Sequence, residues 1–343
     1  MDAVNHQIRL AARPAGLPKD SDWEHTEEPV ADPAAGEVVV KIDQIALEPA
    51  MRGWMNEGRS YTPPVKLGAV MRAFACGEVI ASRHPGLAEG DHVTGVLGAQ
   101  EYAVVSGDAV TKVDTDALPA PVYLGTLGMP GVTAYWGLLD IGRPQSGETV
   151  VVSGAAGAVG SIVGQIAKLK GCRVIGIAGG ADKCRHLVEE LGFDAAIDYK
   201  NEIVPVKLRE HCPDGIDIYF DNVGGHILDA ALARLALHGR VVICGAISQY
   251  NAEDGMHGPA NYMSLLVNRA SMTGFVVTDY LDRAAEAVRD MSQWLAEGKL
   301  KSFEHVVPGG IDGFPDALLG LFRGDNTGKL VLDISGAPPS RVS

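Results

Sequence analysis

The stretch from Val150 to Lys170 constrains this chain more than any other. A β-branched run, Val150-Val151-Val152, enters a turn of small residues, Ser153-Gly154-Ala155-Ala156-Gly157-Ala158-Val159-Gly160. The turn opens at once into a helical pattern with Ile162, Val163, Ile166 and Leu169 on one face. Small residues in such a turn let the backbone approach an anion closely, and the first N–H groups of the helix face that anion with the positive end of the helix dipole. A dinucleotide pyrophosphate fits there. Glycines also permit close helix-on-sheet packing without any ligand, so the context matters: Cys172 to Ala178 reads as a second buried strand and completes a βαβ unit. Ala155 stands at the first glycine of the dinucleotide fingerprint, a replacement a small side chain tolerates.

A chain of 343 residues with 46% hydrophobic content can bury a large core and is expected to form two domains. Its formal charge of −14 argues against a general affinity for nucleic acid or anionic membrane and favours a small-molecule partner. Cys76, Cys172, Cys184, Cys212 and Cys244 are odd in number and contain no Cys-x-x-Cys pair, so neither a disulfide framework nor a zinc lobe is indicated. The thiols read as reduced and the compartment as cytoplasmic. Met1 to Leu10 lacks the apolar core of a secretory signal, and no apolar run approaches a membrane-spanning length.

Residues 1 to about 120 recur in short apolar or alternating runs between Gly and Pro turns, the pattern of a β-rich barrel-like domain. Prolines between Pro49 and Val65 argue against regular helix or central strand there, leaving a loop that carries Trp54, Met55 and Tyr61; Trp54 and Met55 are expected to plug the barrel. His84 and His92 are expected on surface turns. From Leu124 the composition changes, and Gly125 to Leu139 reads as an apolar helix opening a second domain. Within it the spacing predicts a helix over 181–191, strands over 195–199 and 216–220, and a helix from near His226 to Leu237. A strand over 240–244, a short helix over 262–267, a strand over 271–277 and a long amphipathic helix over 282–297 complete that domain. A helix over 314–322 and a strand over 328–332 are expected to return to the first domain, and the tail 335–343 to be disordered.

An NAD site ordinarily ends its second strand with a carboxylate for the ribose hydroxyls, whereas a 2′-phosphate needs positive charge and room. Here that strand ends Ala178-Gly179-Gly180, with Lys183 following and Tyr199 available as a phenolic donor after the next strand. The pattern points to NADP(H), with Asp182 the awkward neighbour unless it turns outward at the helix start.

Several stretches together resemble the zinc-independent branch of the medium-chain dehydrogenase/reductases, which contains prostaglandin and leukotriene B4 reductases, plant alkenal reductases and NADPH-dependent curcumin reductase. They are Tyr61 to Val65, Leu127 to Tyr135, Gly164 to Cys172, Asp221 to Gly225, Cys244 to Asn251 and Gly324 to Lys329. The resemblance covers nearly all of residues 5–334. It implies a doubly wound parallel Rossmann sheet at 124–299 and a β-rich GroES-like catalytic domain at 1–123, completed by 300–334. It also implies a homodimer paired through the edge of the nucleotide-binding sheet. The activity implied is NADPH-dependent reduction of a carbon–carbon double bond conjugated to a carbonyl, an enone or enal.

By the family pattern Gly157, Ala158, Val159 and Gly160 hold the pyrophosphate, Lys183 and Tyr199 the adenosine phosphate, and Asn222 lies along the cofactor. Cys244, Gly245, Ala246, Ile247, Ser248, Gln249 and Tyr250 pass the nicotinamide ribose, while Phe275, Val276, Val277 and Asn326 complete the nicotinamide side. Hydride addition to the β-carbon places negative charge on the carbonyl oxygen, which a phenol can stabilise without a metal. Tyr61 and Tyr250 are the candidate donors, with Tyr61 and Met129 facing substrate. Ala50 stands where relatives often carry a tyrosine. No Gly-His-Glu occurs in the first domain, and Cys76 has no His and Glu at ligand spacing. A quinone reductase of the same fold and a non-catalytic NADPH-binding sensor are the competing readings.

Overall fold

In a computed structural model that describes residues 3–336, the chain divides into two compact units, one formed by residues up to Leu124 and from Glu304 onward, the other by Gly125–Phe303. The expected tail falls outside the described residues from 337 on.

The first unit opens with an antiparallel pair, β1 (Val4–Leu10) and β2 (Trp23–Pro29). It continues through β3 (Glu37–Ala46), α1 (Ala50–Trp54), β4 (Phe74–Ser82), β5 (His92–Val96), β6 (Tyr102–Ser106), β7 (Val110–Val113) and α2 (Ala120–Leu124). The second unit contains α3 (Met129–Trp136), β8 (Thr149–Ser153), α4 (Ala158–Leu169), β9 (Arg173–Ala178), α5 (Ala181–Glu189), β10 (Ala195–Asp198) and α6 (Val204–His211). It goes on through β11 (Ile216–Asp221), α7 (Gly225–Leu232), β12 (Leu235–Ile243), α8 (Met263–Val267), β13 (Ser271–Gly274) and α9 (Ala284–Ala296). The chain then returns to the first unit with β14 (Glu304–Pro308), α10 (Phe314–Arg323) and β15 (Lys329–Asp333).

In the first unit β15 pairs antiparallel with β3, and β3 in turn with both β4 and β6, so the returning strands β14 and β15 extend a mostly antiparallel sheet beside β3. Ile8, Leu10, Val40, Ile42, Val79, Phe314 and Leu332 share its core, together with Trp54 and Met55. This is the GroES-like domain. In the second unit six parallel strands run in the order β10-β9-β8-β11-β12-β13. The order reverses between β8 and β11, which makes a Rossmann sheet with its switch point at the ends of those two strands. Strands buried on both faces explain the near-continuous apolar runs Val150–Val152 and Val174–Ile177.

Some expectations are corrected. A five-residue helix, α1, forms despite the prolines, because Pro49 sits at its N-cap, where no N–H is needed. His92 lies within β5 instead of on a turn. The helix expected to reach Leu237 stops at Leu232; Leu235 already begins β12, whose Leu-Ala-Leu opening suits either period. β13 ends at Gly274, and a 3₁₀ segment, Val277–Arg283, precedes α9, whose regular turns therefore begin two residues later than expected.

The dinucleotide helix is held by small residues. A Cβ on Gly160 would fall 2.4 Å from the Gly154 carbonyl oxygen, and one on Gly164 would fall 1.9 Å from the Phe193 ring. Overpacking of this kind costs about 1–3 kcal/mol. Gly164→Ala is therefore expected to lower the urea midpoint by a corresponding amount, with partial recovery when Phe193→Leu is added. An unchanged midpoint in the single variant would contradict this packing.

Candidate functional site

Every strand of the parallel sheet ends on the same edge, and the residues expected to hold a nucleotide in the second unit lie on the loops leaving it. After β8 the chain turns through Gly154 in the left-handed region (φ 57°), donates Gly157 N–H to the Gly154 oxygen at 3.0 Å, and enters α4 with Gly157 as its extended N-cap. The N–H groups of Ala158, Val159 and Gly160 form the first turn, where α-helix geometry provides no acceptor. No side chain caps this end. Such a donor set, backed by the helix dipole, fits a pyrophosphate.

The ends of β8, β11 and β12 are tied together by one buried residue, Asp221. Asp221 is 1% exposed, and its Oδ1 accepts from Ser153 Oγ at 2.8 Å, Tyr219 Oη at 3.0 Å, Val223 N at 3.1 Å and Gly224 N at 3.0 Å. Its main-chain oxygen accepts the N–H groups of Cys244 at 2.9 Å and Gly245 at 3.0 Å. Burial pushes the Asp221 carboxyl above its ordinary value, while the Gly224 and Val223 amides and the Ser153 and Tyr219 hydroxyls pull the other way. Asn222 is fixed by Ser153: its N–H donates to Ser153 Oγ at 2.9 Å and its Nδ2 to the Ser153 main-chain oxygen at 2.7 Å.

The loop from Cys244 to Tyr250 folds back on this turn. Ile247 N and Ser248 N donate to the Asn222 and Val223 oxygens, and Ser248 Oγ donates to Val223 at 2.6 Å. Tyr250 turns its phenol inward so that its oxygen accepts the Ala246 N–H at 3.1 Å. Burial, with Asp221 adding to it, raises the Cys244 thiol to about 12, which leaves it protonated and a poor nucleophile at neutral pH.

At the far side, β9 ends without an acid in Gly179-Gly180. The Tyr199 ring lies over this turn, 2.9 Å from where a Gly179 Cβ would be, and Tyr199 is 42% exposed. Lys183 sits in the first turn of α5. Asp182 directs its exposed carboxylate to Arg185 at 2.7 Å, which resolves the awkward neighbour. The buried Asp198, at the end of β10, accepts from Gly180 N at 2.7 Å, Lys200 N at 3.0 Å and Asn201 Nδ2 at 2.7 Å. Burial alone would raise its pKa, but the Asn201 amide and the two backbone N–H groups outweigh it and hold the carboxyl below 3.8.

The remaining expected residues are dispersed. Met129 opens α3, half-buried, with its oxygen accepting from Thr133 Oγ1 at 2.7 Å. Phe275 follows β13 and packs its ring inward against Phe220 and Gly137, and Val276 and Val277 beside it are half-buried. In the first unit Tyr61 is 57% exposed on the loop after α1, while Asn326 is buried with Nδ2 donating to the Gly328 oxygen at 2.7 Å. Sequence reasoning missed Ser153, Asp198 and Asp221 as organisers. An Asp followed by Asn-Val-Gly-Gly, whose side chain caps N–H groups two and three residues on, is an Asx-turn signal that could have found the last.

Among the described residues no group of three or more His, Cys, Asp or Glu side chains could hold a metal ion. Two family models match: one described as "N-terminal domain of oxidoreductase" over residues 6–113, the other as "Zinc-binding dehydrogenase" over residues 158–297. The chain is 43% identical to NADPH-dependent curcumin reductase of Escherichia coli (strain K12), covering 97% of each, and 39% identical to 2-alkenal reductase (NADP(+)-dependent) of Nicotiana tabacum, covering 97% of this chain and 98% of that one. The crystal structure of CurA in complex with NADPH from Vibrio vulnificus superposes with a TM-score of 0.91 at 43% identity, covering 97% of this chain and 100% of that one.

Asp221→Ala removes the acceptor shared by two hydroxyls and two amides, so it is expected to cost about 2–5 kcal/mol in chemical unfolding and Tyr219→Phe about 1 kcal/mol. Equal effects of the two would contradict the hub. Folding lowers the Asp198 pKa, so its stabilising effect is complete above 3.8 and is lost as the pH falls through the folded value. Acid titration followed by amide exchange should therefore release Gly180 N–H in that window in the wild type and not in Asp198→Asn.

Proposed function

The chain belongs to the zinc-independent branch of the medium-chain dehydrogenase/reductases, and from that premise we propose that it reduces carbon–carbon double bonds conjugated to a carbonyl, in enones and enals. It is an NADP-dependent oxidoreductase. The observation that carries the substrate reading is that the likeness to proteins named curcumin reductase and 2-alkenal reductase extends over 97% of the chain, not the nucleotide-binding half alone.

In this reading the α4 amides of Ala158, Val159 and Gly160, with Gly157 at the cap, hold the pyrophosphate, and Lys183 and the Tyr199 phenol take the 2′-phosphate. Asn222, the loop Cys244–Tyr250, the segment Phe275–Val277 and Asn326 are assigned to the nicotinamide half. When bound, NADPH supplies the hydride for the β-carbon of the substrate. The protein's own task is electrostatic: a hydroxyl must meet the charge that develops on the carbonyl oxygen. Tyr250, positioned by the Ala246 N–H, is assigned that donation, and Tyr61 and Met129 are assigned to substrate in their respective units. The first unit is assigned as the catalytic domain and the second as the NADP-binding domain.

The β13 edge, with exposed Leu266 and Val267 on neighbouring α8, supports pairing of two copies into a homodimer. Five free cysteines support a cytoplasmic location.

A panel of enones, enals, quinones and saturated ketones, followed by loss of reduced-nicotinamide absorbance with NADPH and NADH in parallel, tests the reading. Turnover of the conjugated enones with NADPH, and none of the saturated ketones, is expected; activity confined to quinones would overturn it. Lys183→Ala should raise the KM for NADPH about tenfold and leave that for NADH unchanged. Tyr250→Phe should lower kcat about 10- to 100-fold with little change in NADPH affinity.

A further inference from the structure

Residues 56–64 leave α1 after Met55 and return at Val65 as an irregular loop with Tyr61 exposed upon it. Its neck is closed twice. Val65 donates its N–H to the Trp54 oxygen at 2.8 Å, and Arg13 Nη1 donates to the Met55 oxygen at 2.7 Å and to the Val65 oxygen at 2.6 Å. A single guanidinium nitrogen thus bridges the carbonyls on either side of the loop's base.

Arg13 reaches the neck from the segment after β1, and that segment is itself anchored. Arg52, buried on α1, donates to the Pro14 oxygen at 2.9 Å and to the Gly16 oxygen at 3.0 Å. The returning limb is held by Arg72, whose Nη1 donates to the Pro63 oxygen at 3.0 Å while its guanidinium lies 5.5 Å from the centre of the Trp54 ring. The Arg13 fork stays in place although its Nε is buried with no hydrogen-bond partner among the described residues. A buried donor left unmet is destabilising, and the bonded end of the fork lies at the base of a surface segment: residues 56–61 are all exposed.

We propose that Arg13 is a positioning residue for substrate binding, acting through Tyr61. By fixing both ends of the loop before substrate arrives, it limits the conformational freedom that would otherwise be lost when Tyr61 engages the substrate. The proposal rests on the reading of Tyr61 as a substrate residue.

The test compares wild-type protein, Arg13→Ala, Arg13→Lys, Tyr61→Phe and the Arg13→Ala/Tyr61→Phe double variant in steady-state kinetics with an enone. NADPH dissociation constants and the rate of tryptic cleavage after Arg59 are measured on the same samples. For Arg13→Ala we expect the enone KM to rise about tenfold, kcat and NADPH affinity to stay within about twofold, and cleavage after Arg59 to accelerate about tenfold. Arg13→Lys, with an ammonium in place of the fork, should fall between, and the double variant should show no KM increase beyond that of Tyr61→Phe. A wild-type KM in Arg13→Ala, a parallel loss of NADPH affinity, or additive effects in the double variant would overturn the proposal. If the wild-type protein turned over no conjugated enone, the functional reading and the substrate role would both fall. The Arg59 cleavage rates would still report separately whether Arg13 closes the neck.

Discussion

The nucleotide-binding unit depends on one buried carboxylate more than on its glycines. Asp221 gathers two hydroxyls and two amides on a single oxygen, and its main chain takes two further amides from the exit of β12. The ends of three neighbouring strands are therefore joined through two acceptors of one residue, its Oδ1 and its main-chain oxygen. The desolvation that raises its pKa is the cost of this arrangement, offset by its four hydrogen bonds. The hub lies at the point where the strand order reverses, which is where α/β sheets present their ligands.

A chain with a formal charge of −14 has to receive a polyanionic cofactor, and the local treatment of acids shows how repulsion is limited. Asp182 is paired with Arg185, Asp198 is enclosed by amides, and Asp221 is turned into the turn it organises. None of these three carboxylates is left facing the first turn of α5 unpartnered. The proposed roles of Lys183 and the Tyr199 phenol at that corner rest on this disposition of the acids. The absence of an acid after β9 and the engagement of those nearby act together.

Much of this was legible in the sequence because it is local. The run Val150–Gly160 declares strand, turn and helix within eleven residues, and Ala178-Gly179-Gly180 declares its cofactor by what it lacks. The returning strand β15 was legible from the Gly-Lys-Leu-Val-Leu pattern that follows a helix stop at Gly324. What was hidden is non-local. Ser153 and Tyr219 look like ordinary strand residues until the sheet sets them beside Asp221, sixty-eight and two residues away in sequence. Arg13 and Arg52 carry no signal in the sequence, and only the fold brings them to main-chain oxygens. Helix α1 escaped because a proline forbids a helix interior and not its start.

The central claim concerns which bond of a conjugated carbonyl is reduced, and isotope tracing tests it most directly. With NADPH carrying deuterium at the transferable position of its nicotinamide, an enone should yield the saturated ketone with deuterium at the β-carbon. An allylic alcohol with the label on its carbinol carbon, or unlabelled product, would contradict the account.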